Sequence, residues 1–361
     1  MEAKGSDKQT DSKQTDSSVK RRKRAAAEDS SSQIPLTVAS SWLQLAMLRD
    51  LALQPFGGEW PHRDLDFIEV FAGEAAISKG LRSMHKVGAT LDLRMDSSHN
   101  MLTPCGFVAL LACIARLRPG GLLWLAPPCS TWVFMSRTTT GRHIKMSGNW
   151  DSSPYILGQN ALCCRMAGAC LLADSRDCTF IVEQPVSSLM FDYTPWYVLL
   201  QGLRSRIKRV NVHLGAFGAA SPKLTKLVGT AAWLPSLHRS MQESDWVRIR
   251  KEGVSTTVKH EDGRVSGSKD LKASQTYPLE FGAAVAVAFT ESSVSKSEEP
   301  EASASNPTAA EASVSDTIEQ LFTQNGDAPM WHVDATWFLR DLILDVPWDA
   351  HVLVEQSLPL E

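Results

Sequence analysis

Long unbroken apolar runs are missing from this chain of 361 residues, so no membrane-spanning segment and no membrane partner is expected. Cysteines at paired metal-ligand spacing are missing as well: all seven fall between Cys105 and Cys178 without that pattern, and no apolar leader stands at the start. No metal is therefore expected, and the thiols are expected free, in a reducing intracellular compartment. Residues 1–33 have almost no large apolar side chains, so they cannot bury enough surface to fold. Net charge is also small, at −3.

That near-neutral total hides an asymmetry. From Glu291 onward 14 acidic residues face 2 basic ones, whereas residues 201–272 hold 14 Lys and Arg against 6 Asp and Glu. A basic stretch inside a folded region points to a polyanion or to a solvated basic face. Within the tail, Lys20-Arg21-Arg22-Lys23-Arg24 reads as a nuclear localisation signal or a nucleic-acid arm. The 43% of hydrophobic residues suffices for one substantial core with attachments.

Composition and periodicity divide the chain into a basic tail over 1–33 and a helical segment over 34–62, where Ser40 or Ser41 caps a helix to about Leu53. A core over 63–234 and a small basic region over 235–277 follow. A helix over 278–290 then returns to the core, an acidic linker covers 291–315, and a small aromatic-rich helical element over 316–361 suits docking on the core or on a protein partner.

Inside the core, short apolar runs alternate with helical patterns, which is the signature of an α/β fold with a Rossmann-like, doubly wound, mostly parallel sheet. Gly121-Leu122-Leu123-Trp124-Leu125-Ala126-Pro127-Pro128-Cys129 is such a run, ended by two prolines, and it leaves Cys129 just past the strand. Cys178-Thr179-Phe180-Ile181-Val182-Glu183-Gln184-Pro185 repeats the device and leaves Glu183 at the same edge. Ligands of open α/β sheets bind at that edge, so a thiol and a carboxyl converge on one pocket if the strands are neighbours.

Upstream, Phe67 to Phe71 form a strand that turns through Ala72-Gly73-Glu74 into a helix whose first amides can hold an anion. Asp92 ends the next strand, nineteen positions beyond Gly73, where dinucleotide-type folds place a ribose-binding acid. Asp96 competes for that role, and Asp92 has the alternative of capping a turn toward Arg94. After Cys129 a hydroxyl-rich loop carries Arg137 and Arg142, suited to phosphates or to an ordinary surface connection. Two late strands, Ile207 to Leu214 and Leu224 to Trp233, form an antiparallel hairpin that carries Lys223 and Lys226.

In their order, the glycine loop, Pro-Pro-Cys and the strand-end Glu make residues 66–290 resemble the C5-cytosine methyltransferases. The resemblance implies a class I methyltransferase fold and S-adenosylmethionine as cofactor, held by Phe71, Ala72, Gly73, Glu74, Asp92 and Pro127. It implies Cys129 as nucleophile and Glu183 as its partner on cytosine in DNA, with RNA as second choice, and Arg137, Arg142, Lys223 and Lys226 on the nucleic acid. The family's glycine-rich loop is Glu74-Ala75-Ala76 here, and its Gln-x-Arg-x-Arg motif is replaced by the two lysines. A catalytically silent nucleic-acid-binding module and a nicotinamide-dependent oxidoreductase are the rival readings.

Overall fold

The computed structural model describes residues 36–297, apart from 145, 146, 150–152, 256, 264 and 272. The basic run at Lys20 to Arg24, most of the acidic linker and the element over 316–361 lie outside the described residues.

Six strands form one sheet in the order β2-β1-β3-β4-β6-β5. They are β1 (Leu65–Val70), β2 (Gly88–Leu91), β3 (Leu117–Leu125), β4 (Thr179–Pro185), β5 (Lys208–His213) and β6 (Leu224–Gly229). Strands β1 to β4 run parallel, and β6 runs antiparallel to both β4 and β5. The architecture is thus α/β with a mixed, mostly parallel sheet, compatible with a Rossmann-like fold. Chain order reverses between β1 and β3, so a crevice opens beyond their carboxyl ends.

Alternation along the strands assigns each face. Ile68, Val70, Leu123, Leu125, Phe180 and Val182 point into a core shared with α3 (Pro104–Arg116), α5 (Pro154–Ser175) and α6 (Thr194–Gly202), and α1 (Leu36–Leu53) adds Leu45 and Leu48. Phe67, Leu122, Trp124 and Ile181 point the other way, onto α2 (Ala76–Ser83) and α8 (Leu279–Ser297). Helices α2 and α8 touch backbone to backbone. A Cβ on Gly80 would lie 2.3 Å from the Gly282 carbonyl oxygen, and one on Gly282 would lie 2.0 Å from that of Ala76, so only glycine fits either place.

Several boundaries differ from expectation. Helix α1 starts at Leu36, which puts Ser40 and Ser41 inside it and not at its cap. Strand β6 stops at Gly229, and the chain then enters a short 3-10 turn over Leu234–Leu237. Helix α8 runs to Ser297, into the stretch read as linker, with the hydroxyls of Ser292 and Ser293 turned back onto the Phe289 carbonyl. The basic region holds the expected Asp-Gly hairpin, β7 (Thr257–Lys259) and β8 (Val265–Gly267), and an unexpected helix, α7 (Glu243–Glu252), opened by a capping box.

Contrary to the absence of apolar runs, α5 is long and apolar enough to cross a bilayer. Because 78% of its most apolar window is buried inside the protein, it is accounted for as the central core helix.

Candidate active site at the carboxyl edge of the sheet

A cleft of about 510 Å³ lies at the crevice, a volume within the range of small-molecule sites. The loops after β1, β2 and β3, the end of β4 and the segment before α8 line it. Phe71 to Glu74, Asp92, Pro127, Cys129, Glu183 and Lys223 all face it, so one cavity gathers the thiol, the carboxyl and the glycine loop.

The glycine loop is held in an unusual shape. Phe71, Gly73 and Ala75 have φ of 60°, 59° and 55°, and two of the three are residues for which that region is costly. Ala75 takes the left-handed position that glycine would fill without penalty, which accounts for how Glu74-Ala75-Ala76 keeps a turn here. It offers no side chain to cap α2. That work falls to Glu69, whose Oε2 accepts the Ser78 amide at 2.7 Å from the buried face of β1. Burial pushes the Glu69 carboxyl above its usual range, and the Ser78 bond only partly offsets this. Glu69 escaped the sequence reading, although a lone acid within Phe67-Ile68-Glu69-Val70 was its signal.

Asp92 does two jobs. Its Oδ2 accepts the Gly73 amide at 2.8 Å and its Oδ1 the Arg94 amide at 2.8 Å, so the carboxylate staples the glycine loop and caps its own turn. A carboxylate has about four acceptor sites, which leaves capacity for a ligand hydroxyl. Arg94 lies across the loop, with Nε 3.5 Å from Asp92 and Nη1 3.7 Å from Glu74. Asp96 instead accepts the Ser98 amide at 2.8 Å and does not line the cleft.

Cys129 sits half-buried, and its carbonyl accepts the amides of Trp132 and Val133 at 2.9 and 3.2 Å, which begins the next turn. The loop is clamped to β4 by Gln184. Its Nε2 donates to the Pro127 carbonyl at 2.7 Å, and its Oε1 accepts the Ser188 hydroxyl at 2.9 Å. Burial pushes the Cys129 thiol above its usual value, the Glu183 carboxylate adds to this, and Lys223 opposes it. The resting group is therefore the protonated thiol.

Glu183 is buried, with Oε1 accepting the Thr225 hydroxyl and lying 3.3 Å from the Lys223 ammonium. Tyr277 walls the cleft beside it. The two lysines of the hairpin therefore part company. Lys226 pairs with Gln184 across the strands while Leu227 pairs with Glu183, so alternation turns Lys226 to the opposite face, away from the cleft.

The two arginines expected on nucleic acid also differ. Arg142 is buried, its guanidinium 3.5 Å from the Trp132 ring centroid and donating to the carbonyls of Ser147, Gly148 and Ile156. Burial lowers its pKa to about 10. It is a strut under the loop and has no surface to offer a phosphate, which corrects its expected role. Arg137, in α4 (Arg137–Thr140), stays partly exposed over Phe134 at 4.7 Å, outside the cleft. Family models, curated proteins and solved structures yield no match to this chain.

Proposed function

We propose that the protein is a class I methyltransferase that modifies carbon 5 of cytosine in DNA through a covalent cysteine adduct. The observation that carries this reading is the convergence of Cys129, Glu183 and Lys223 on one cleft with the loop at Gly73 and Asp92. Cys129 follows β3 and Glu183 lies near the end of its parallel neighbour β4, so the two would face one ligand from adjacent strand ends.

The cleft suits S-adenosylmethionine. The left-handed loop exposes backbone from Phe71 to Glu74, Asp92 retains acceptor capacity for ribose hydroxyls, and Pro127 adds an apolar edge. When bound, the cofactor would supply an electrophilic methyl group. The chain's own residues would prepare the base. Carbon 5 of cytosine is a poor nucleophile, and addition of the Cys129 sulfur to carbon 6 makes it enamine-like. Glu183 would hold N3 and the exocyclic amine and share a proton as charge builds there. Once carbon 5 carries the methyl group, loss of its proton to solvent and expulsion of the sulfur as thiolate would restore the 5,6 double bond, and the thiolate would then take up a proton.

Because the resting thiol is protonated, deprotonation must accompany substrate binding, and Lys223 is the cation placed to favour it. The target base is inaccessible in a duplex, so it would be flipped into the cleft. Phe134 and Met135 stand exposed, and Arg137 partly exposed, on the loop after Cys129, where a displaced strand would pass. The basic tail at Lys20 to Arg24 fits a nuclear protein that binds nucleic acid.

Trapping tests the proposal. A 5-fluorocytosine oligonucleotide with cofactor should form a denaturation-resistant adduct that Cys129→Ser abolishes, and a DNA strand should outperform RNA. An adduct that persists in Cys129→Ser removes Cys129 from the chemistry. Absence of any adduct, with nucleic acid still bound, leaves the silent binding module.

A further inference from the structure

Glu69 Oε1, Trp124 Nε1 and Tyr277 Oη lie buried on the α2/α8 face of the sheet, and the Tyr277 hydroxyl interacts with the side chains of Trp124 and Glu183. Buried polar atoms are satisfied in the great majority of proteins, so a buried phenol shared between an indole and a carboxyl beside a cleft calls for a role. Their placement is a matter of register. Glu69 pairs with Trp124 across β1 and β3, Ile181 of β4 lies beside Trp124, and Glu183 follows two residues along the same face. Tyr277 lies over this row, its ring edge-on to Trp124 at 6.2 Å and to Phe281 at 5.3 Å. Those two contacts fix the ring, and with it the direction of the hydroxyl.

Burial first, and the Glu183 carboxylate second, hold the proton on Tyr277 far above the ordinary tyrosine range. The phenol is therefore a permanent donor beside a carboxyl. Thr225 and Lys223 both act at Glu183 Oε1, which leaves Oε2 for a further donor.

We propose that Tyr277 is a positioning residue for Glu183: its fixed hydroxyl donates to the second carboxyl oxygen and aims the carboxyl at the base in the cleft. This rests on the role given to Glu183 under the proposed function. With Thr225 and Lys223 it surrounds the carboxyl with donors from three directions, so the free edge can face only the ligand. The other titratable groups near the pair are Glu69 of β1, Cys129 after β3 and Lys223 before β6. Glu280 of α8 is engaged at the surface with Arg239, 2.6 Å away.

Tyrosine NMR of the full chain tests this without activity. With [13Cζ]tyrosine there are four signals, and that of Tyr277 is the one lost in Tyr277→Phe. Glu183→Gln should displace this signal and leave the other three in place. If Tyr277→Phe does not fold, the comparison of wild type with Glu183→Gln still decides, because four unmoved signals overturn the proposal.

The second readout is the rate of adduct formation against oligonucleotide affinity. Because the hydroxyl aims Glu183, Tyr277→Phe should slow adduct formation several-fold at saturating oligonucleotide while leaving its affinity unchanged. An unchanged rate in a folded variant overturns the proposal. Failure of wild type to form any adduct would instead sink the methyltransferase reading, with the NMR result still standing on its own.

Discussion

Replacement of Gln184 by Leu is the sharpest probe of how the thiol loop is held. Leucine nearly fills the glutamine volume, so the change removes two hydrogen bonds and creates little cavity. The Pro127 carbonyl loses its donor, and the Ser188 hydroxyl loses its acceptor while keeping the Met190 amide at 3.2 Å. A buried group left unsatisfied costs about 1–3 kcal/mol. The residual Ser188 contact puts the pair toward the lower part of the summed range, at about 2–4 kcal/mol. For a folded unit of this size each kcal/mol is worth about 2–4 °C, so the unfolding midpoint should fall by about 5–15 °C. The same loss frees the loop that carries Cys129. Alkylation of Cys129 by iodoacetamide, mapped by peptide mass spectrometry, should therefore accelerate several-fold below the melting range. A midpoint within about 2 °C of wild type and an unchanged alkylation rate would show that Gln184 does not clamp the loop.

The electrostatics of the thiol give a pH prediction with a definite sign. Burial and Glu183 raise the Cys129 pKa while Lys223 lowers it, so alkylation should still be climbing above pH 9, rise at pH 8 in Glu183→Gln and fall in Lys223→Met. Equal rates in all three at pH 8 would refute the arrangement. Arg142→Met removes the guanidinium donor from the Ser147 and Ile156 carbonyls, while Gly148 keeps Asn160 Nδ2 at 2.7 Å, and should cost about 2 kcal/mol, whereas Arg137→Met should stay within about 1 kcal/mol, both read from denaturant midpoints.

Strands β3 and β4 were legible because apolar runs cut by proline have few other solutions, whereas their adjacency, which the pattern leaves open, comes from the parallel pairing. Arg142 was not. Its acceptors are main-chain carbonyls brought round by the path of the loop, and a carbonyl carries no trace of itself in residue type. The separation of Lys223 from Lys226 was partly readable, since positions three apart in an extended chain face opposite ways. For Asp92 the turn cap toward Arg94 is present, but nineteen residues of spacing carry no trace of the second bond, in which the carboxylate staples Gly73. Glu69 was passed over because its partner is a helix amide, placed only once α2 has folded back.

The glycine contact between α2 and α8 has a consequence for synthesis and engineering. It binds the helix that follows β1 to the last helix among the described residues, and the residues just before α8, Gln275 to Tyr277, are part of the cleft wall. A ribosome would have to release nearly the whole domain before the cavity could close, so truncated products would carry an open half-cavity and an uncovered sheet face.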